Sequence, residues 1–271
     1  MTQPAEDLAA DGATIVRGFL SPEDAADLRR TVTDIYAFMS SGATISHRLL
    51  AYHFNLWRGV WLRHLPAFLR KARPDLAQRY EQSLARIEEQ VKRRFGADWR
   101  FFPKRSYFRR HVGMVYKVPW HIDADAASIY RVAGEAINVW MPLDTVGTDL
   151  PSLDYVPRSH AVMRAVPMLA GKDKYRDDAF VSGVGTPATA QLDVGDALIF
   201  DQFTLHRTQQ AGSENTVRTA CEFRFVRHAA PTLQGLSGWL RYNLNVLFSP
   251  RGYLAERAKG LFGRKQKDSA A

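Results

Sequence analysis

The chain of 271 residues is 46% hydrophobic and 24% charged, with a formal net charge of +9. That is ordinary globular composition, and it excludes wholesale disorder, collagen-like repeats and low-complexity classes. A single cysteine, Cys221, excludes a disulfide scaffold and fits a reducing compartment.

No apolar window reaches the length of a bilayer span. The opening MTQPAEDLAADG lacks the basic and apolar regions of a secretory leader, so a soluble, cytoplasmic protein is expected. The charge is uneven. Residues 58–110 carry 15 basic and 5 acidic side chains and residues 241–271 carry 7 and 2, while both remaining segments are net acidic. Such blocks are either solvated helix faces or a surface for an anionic partner.

In chain order, ATIVRGFL over 13–20 reads as a short strand. Ser21-Pro22-Glu23-Asp24 then opens a helix, with Ser as N-cap, Pro in the first turn and acids beside it. Ala25, Leu28, Val32, Ile35, Tyr36 and Met39 continue it at helical spacing. A helical block is expected from about 46 to 95, broken near Pro66 and Pro74 and stopped by Gly96. Beyond it the period shortens. Runs at 99–112, 113–121, 136–143, 153–157, 196–201, 205–210 and 218–227 are β-branched or aromatic and bounded by Gly, Pro, Asp and Ser. Residues 171–195 have no steady period and read as a long loop. Many strands after a helical block predict an α+β fold, a β-sandwich or jelly roll backed by helices. No linker divides the chain, so one domain over 1–271 is expected, ending in a basic tail over about 236–271. That tail mixes apolar and basic residues, which suits packing on the barrel, a dimer contact or peripheral attachment to a membrane.

Among eight histidines only His121 has an aspartate two residues on. Side chains at i and i+2 of a strand share a face, so His121 and Asp123 supply two thirds of the facial triad that holds non-haem Fe(II). His206 is the expected third ligand. The ordinary alternatives are a structural His–Asp pair and a packed histidine bonded to a carbonyl. Twelve residues beyond His206, Arg218 opens another strand and suits bidentate capture of a carboxylate, or else a structural ion pair. Alternation places Glu222 and Arg224 on its face, opposite Cys221, Phe223 and Phe225.

The set His121-x-Asp123, His206 and Arg218 resembles the phytanoyl-CoA dioxygenase-like family of Fe(II)- and 2-oxoglutarate-dependent dioxygenases. Gly12–Leu20 with Ser21-Pro22, Ala136–Leu143, Val156-Pro157-Arg158-Ser159-His160, Gly195–Phe200 and Asn215–Arg218 look like that family's segments, in its order, over about residues 11–228. The resemblance implies a double-stranded β-helix (a jelly-roll, cupin-like barrel) with helices from both termini. It also implies Fe(II) on His121, Asp123 and His206, and 2-oxoglutarate held by Arg218, with Thr208, Trp140 and Asn138 as its neighbours. The implied reaction uses O2 to hydroxylate an unactivated carbon of a small-molecule or acyl-type substrate, with release of succinate and CO2. Lys117, Arg158, Glu222 and Arg224 are candidate substrate contacts, and the cations among them suit an anionic substrate.

Arg158 stands where the family commonly has glycine, which predicts a different local turn; Pro151-Ser152 replaces another glycine. Asp123 argues against the related halogenases, which lack this carboxylate. Arginines six apart, at 218 and 224, also resemble nucleic-acid demethylating dioxygenases, but the flanking segments do not, and nucleic acid is not the expected partner. A non-catalytic module on the same barrel is the alternative from another class.

Overall fold

The structure is a computed structural model. It describes residues 3–40, 59–61, 65–103, 106–112, 118–124, 135–165, 178–210 and 217–227, all within one compact unit. Two antiparallel sheets form the barrel. The larger is built from β1 (Ala13–Val16), β2 (Gly59–Trp61), β3 (Arg100–Phe101), β4 (Tyr107–Val112), β5 (Glu135–Pro142), β8 (Ala197–Asp201) and β10 (Val217–Arg227). Its order is β1-β8-β5-β10-β4-β2, with β3 also on β10. The smaller has β6 (Leu153–Tyr155) between β7 (Ala188–Thr189) and β9 (His206–Thr208). This is a double-stranded β-helix.

The large sheet is buried on both faces, which is why β5 and β8 read as continuous apolar runs. Period-two alternation divides their side chains. Ile137, Val139, Met141, Ala197, Ile199, Cys221, Phe223 and Phe225 face a helical layer, and Trp140, Leu198, Phe200 and Ala220 face the barrel interior. A first helix, α1 (Gln3–Asp11), precedes β1, and the helical layer contains α2 (Pro22–Ser40), α3 (Leu65–Ala72) and α4 (Pro74–Phe95). Ser21 Oγ accepts from Asp24 N, the cap expected from the sequence. Pro74 opens α4, and Gly96 closes it at φ 122 with its N–H on Lys92 O. Leu76, Tyr80, Ile87 and Val91 form the buried stripe of α4.

Much of the basic excess in this layer is neutralised within the fold. Arg79 pairs with Asp34, and Arg86 with Asp24 and Asp27, joining α4 to α2. Arg70–Glu81 and Arg73–Asp75 are further pairs.

Several boundaries differ from expectation. The block at 46–95 contains β2, a strand on β4; its residues 46–58 and 62–64 lie outside the described residues, as does the tail at 236–271. The loop at 171–195 contains a helix at Asp178–Val184 and the strand β7. Two short helices, Gln3–Asp11 and Ser159–Ala165, had no predicted counterpart, because each is too short for a repeating apolar face. Arg158 adopts φ 63, the left-handed conformation that glycine takes freely. No described helix is long and apolar enough to cross a membrane.

Gly12 anchors the turn that leads into the site. Its carbonyl accepts from Asp201 N (2.8 Å) and Thr204 Oγ1 (2.6 Å). Its φ is +71, and an added Cβ would lie 2.3 Å from His160 Nδ1. Gly12→Ala is therefore predicted to destabilise the fold by about 2 kcal/mol or more, combining backbone strain with a clash. Urea denaturation of the variant against the parent chain checks this; an unchanged midpoint would contradict it.

Candidate metal and co-substrate site

Two elements carry the histidines. His121 and His206 are joined as an antiparallel pair, His121 N donating to His206 O (2.9 Å) and His206 N to His121 O (3.0 Å). Residues exchanging both bonds present their side chains on one face, and the two rings lie 4.2 Å apart between centroids. The turn before β9 is fixed by Asp201, whose Oδ1 accepts from Phe203 N and whose Oδ2 accepts from Arg164. Ser159 Oγ accepts from Leu205 N, tying the same turn to the helix at 159–165.

Each ring is oriented by the carbonyl two residues upstream. His121 Nδ1 donates to Pro119 O and His206 Nδ1 to Thr204 O, both at 2.9 Å. A carbonyl only accepts, so the proton sits on Nδ1 and the Nε2 lone pair faces inward. Burial, then the His206 ring, pushes the His121 pKa down to about 3, which keeps that imidazole neutral and able to ligate. Asp123 completes the cluster. Its oxygens lie 4.0 Å from His121 Nε2 and 3.9 Å from His206 Nε2. One ligand atom from each of the three residues falls within 4.8 Å of the others. Two neutral imidazoles and one carboxylate, open on one side, are the donor set for a non-haem divalent iron.

Asp123 is the most heavily supported of the three. Burial opposes its ionisation, but the Arg224 charge and the two histidines hold its carboxyl well below the usual range. Arg224 Nη2 donates to Asp123 Oδ2 at 2.8 Å, and Asn138 Nδ2 donates to the same oxygen. Arg224 Nε in turn donates to Asn138 Oδ1 at 2.8 Å. The sequence reading put Asn138 beside the co-substrate and Arg224 beside the substrate; the structure puts both against Asp123.

Arg218 is 2% exposed, and its Nε and Nη1 have no hydrogen-bond partner among the described residues. Its guanidinium lies 5.0 Å from the centre of the Trp140 ring. Burial, then Arg109, pushes its pKa down to about 9, so it stays a cation at neutral pH. A buried charge with unmet donors is costly unless a ligand supplies the counter-charge. Thr208 is buried on the face of His206, its N–H on Val118 O and its Oγ1 accepting from Val118 N.

Of the remaining candidates, Glu222 lies inside the barrel, 4.0 Å from Arg224 and hydrogen-bonded to Tyr107. Burial and the Asp123 charge raise its pKa. Arg158 is exposed on the surface, with Asp11 as its partner. Lys117 lies outside the described residues. The sequence reading missed Tyr107 and Arg109, joined by Arg109 Nη2 donating to the Tyr107 hydroxyl. The signal was present: Phe108, between them, belongs to the helical-layer core, so alternation turns its neighbours inward.

The sequence profile of the phytanoyl-CoA dioxygenases matches residues 8–220. The chain belongs to the phytanoyl-CoA dioxygenase family. It is thus an iron- and 2-oxoglutarate-dependent oxygenase, and the cluster of His121, Asp123 and His206 is where the iron could be held. Solved structures agree on the fold. AviO1 from Streptomyces viridochromogenes Tue57 is 17% identical, with a TM-score of 0.57 over 85% of this chain and 96% of AviO1. SnoN, a non-haem α-ketoglutarate-dependent epimerase from nogalamycin biosynthesis, is 16% identical, with a TM-score of 0.61 over 87% of each chain. EctD from S. alaskensis, determined with 2-oxoglutarate and 5-hydroxyectoine, is 15% identical, with a TM-score of 0.58 over 84% of this chain and 76% of EctD. No curated protein matches the chain in sequence.

Replacing the unmatched charge of Arg218 with an apolar side chain is predicted to stabilise the ligand-free protein. Arg218→Met should raise its melting temperature by roughly 2–6 °C, since apolar replacements of poorly compensated buried charges gain about 1–2 kcal/mol. Calorimetry of the metal-free protein checks this; a fall of several degrees would show that Arg218 already has its counter-charge.

Proposed function

We propose that the chain hydroxylates an unactivated carbon of a polar small molecule, with His121, Asp123 and His206 holding Fe(II) and Arg218 holding the distal carboxylate of 2-oxoglutarate. The observation that carries this reading is the buried Arg218 guanidinium, short of partners, on the same barrel-facing side of β10 as Arg224, which is bound to Asp123. A dicarboxylate with one end on the metal and the other on Arg218 would satisfy both. When bound, iron and 2-oxoglutarate would supply the activation of O2 and the oxidant for the substrate C–H bond, the 2-oxoglutarate being converted to succinate and CO2.

The chain's own residues bind, orient and exclude. The two Nδ1–H···O=C bonds fix the rings so that both Nε2 atoms face the metal position. Trp140 packs against the Arg218 guanidinium and limits its directions, and the Thr208 hydroxyl can donate to a co-substrate oxygen. Trp120, Ile122, Val156 and Leu205 form a buried apolar cluster around the histidine strands that keeps water from their far side. The inner wall offered to a substrate includes Tyr107, Arg109 and Glu222, which favours a polar small molecule over an acyl chain. The neighbours named from nogalamycin biosynthesis or held with 5-hydroxyectoine support a small-molecule substrate as well.

An anaerobic titration of metal-free protein with Fe(II) and then 2-oxoglutarate tests the proposal. The expected result is the visible charge-transfer band of the chelate. His121→Ala should abolish it, and Arg218→Met should require at least about 30-fold more 2-oxoglutarate, the equivalent of ~2 kcal/mol for a lost buried charge pair. No band in the unaltered protein would overturn the assignment.

A further inference from the structure

We infer that a cavity on the helical side of the large sheet, outside the barrel, binds an amphipathic anion: a small molecule with an apolar body and one phosphate or carboxylate head. The cavity has a volume of about 770 Å³, within the range of roughly 300–1,000 Å³ typical of small-molecule sites. It lies where α1, the end of α4, the start of β5 and the helix at 159–165 meet. Its lining includes none of His121, Asp123, His206 and Arg218.

The floor is apolar. Phe95, Trp99 and Ile137 are buried members of the helical-layer core, and Ala5 and Leu8 of α1 pack against that core while staying partly exposed. α1 has no fully buried residue, so its apolar side is only part-covered by protein. The walls are held by ion pairs. Arg164 is bonded to Asp201 at 2.6 Å and Arg227 to Glu135. Each guanidinium also lies over a ring, 5.2 Å from the centre of Phe203 and 4.9 Å from that of Trp99. The recess is therefore formed before a ligand arrives, which lowers the ordering cost of binding.

Charge selects the head of the ligand. With Arg164 and Arg227 matched by acids, the other cations of the lining are Lys92, Arg93 and Arg94, consecutive residues in the last turn of α4. They belong to the basic block at 58–110 and are not among the pairs that join α4 to α2. Among the described residues no carboxylate is paired with Lys92 or Arg93, and Arg93 donates to the neutral Gln90 Oε1. Cations in a last turn also offset the helix dipole, but that role needs no apolar recess beside them. Cations and recess together match a molecule that is anionic at one end and apolar at the other. A membrane surface matches less well, because it is met by protruding apolar side chains. The exposed large hydrophobics among the described residues, Val162 and Val217, do not line the cavity.

Calorimetric titration of the full chain with decyl phosphate, kept below its micelle concentration, tests the inference. One site per chain is expected. Octyl phosphate should bind about 10- to 15-fold more weakly, since each buried methylene contributes roughly a 3- to 4-fold factor. Inorganic phosphate and decanol, each carrying half of the recognition, should bind more weakly still. Lys92→Ser with Arg93→Ser should weaken decyl phosphate about 3- to 10-fold, as for two exposed charges. Ala161→Trp, which fills the recess from an exposed position, should abolish binding without lowering the melting temperature; if it does lower it, Ala9→Trp, from the α1 side, replaces it in the test. Arg218→Met, inside the barrel, should bind as the parent does. Binding lost in Arg218→Met and kept in the cavity variants would place the ligand in the barrel and overturn the inference. So would equal affinity for decyl phosphate and inorganic phosphate, the mark of an adventitious ion only. Binding to phosphatidylglycerol vesicles without binding of monomeric decyl phosphate would overturn it in favour of a membrane surface, and no binding of any probe would overturn it outright.

Discussion

The site depends on one backbone pairing. His121 and His206 exchange two hydrogen bonds across the edge of the small sheet, and that exchange puts two imidazoles on one face at contact distance. Everything else refines the arrangement. The carbonyls of Pro119 and Thr204 turn the rings, and the Asp201 turn and the Gly12 carbonyl hold the strand that carries His206. Ala124 N on Gln202 O returns the Asp123 segment to the same turn. The ligand atoms are therefore placed by main-chain bonds, which deform less than side-chain contacts alone, and such rigidity suits a site that must be formed before its ligands arrive.

The second constraint is that the large sheet serves two environments. β10 carries Cys221, Phe223 and Phe225 into the helical layer and Arg218, Glu222 and Arg224 into the barrel. The aromatic face secures the strand, with Phe223 packed against Phe101 and Phe108. The same strand can then hold three ionisable groups in the interior at tolerable cost. Arg224 and Glu222 have partners within the barrel, and Arg218 has a ring at its side and donors in reserve. Burial of Cys221 pushes its thiol pKa up, which leaves it unreactive packing.

Much of this was legible in the sequence, because period-two alternation and a His-x-Asp spacing survive translation into structure. The strands at 136–143, 196–201 and 218–227 moved by a residue or so, and His121, Asp123 and His206 converge. Roles that depend on distant partners were not legible. Alternation put Asn138 and Arg224 inside the barrel but could not show that β5 and β10 would pair them beside Asp123. Short helices at 3–11, 159–165 and 178–184 escaped because few residues share their buried face.

Anomalous diffraction from anaerobic crystals grown with Fe(II) and 2-oxoglutarate tests the central claim most directly. One iron peak is predicted, bonded to His121 Nε2, His206 Nε2 and an oxygen of Asp123, with the co-substrate running from the metal to the Arg218 guanidinium. Iron bound elsewhere, or Arg218 paired with a protein carboxylate while 2-oxoglutarate lies in another place, would contradict it.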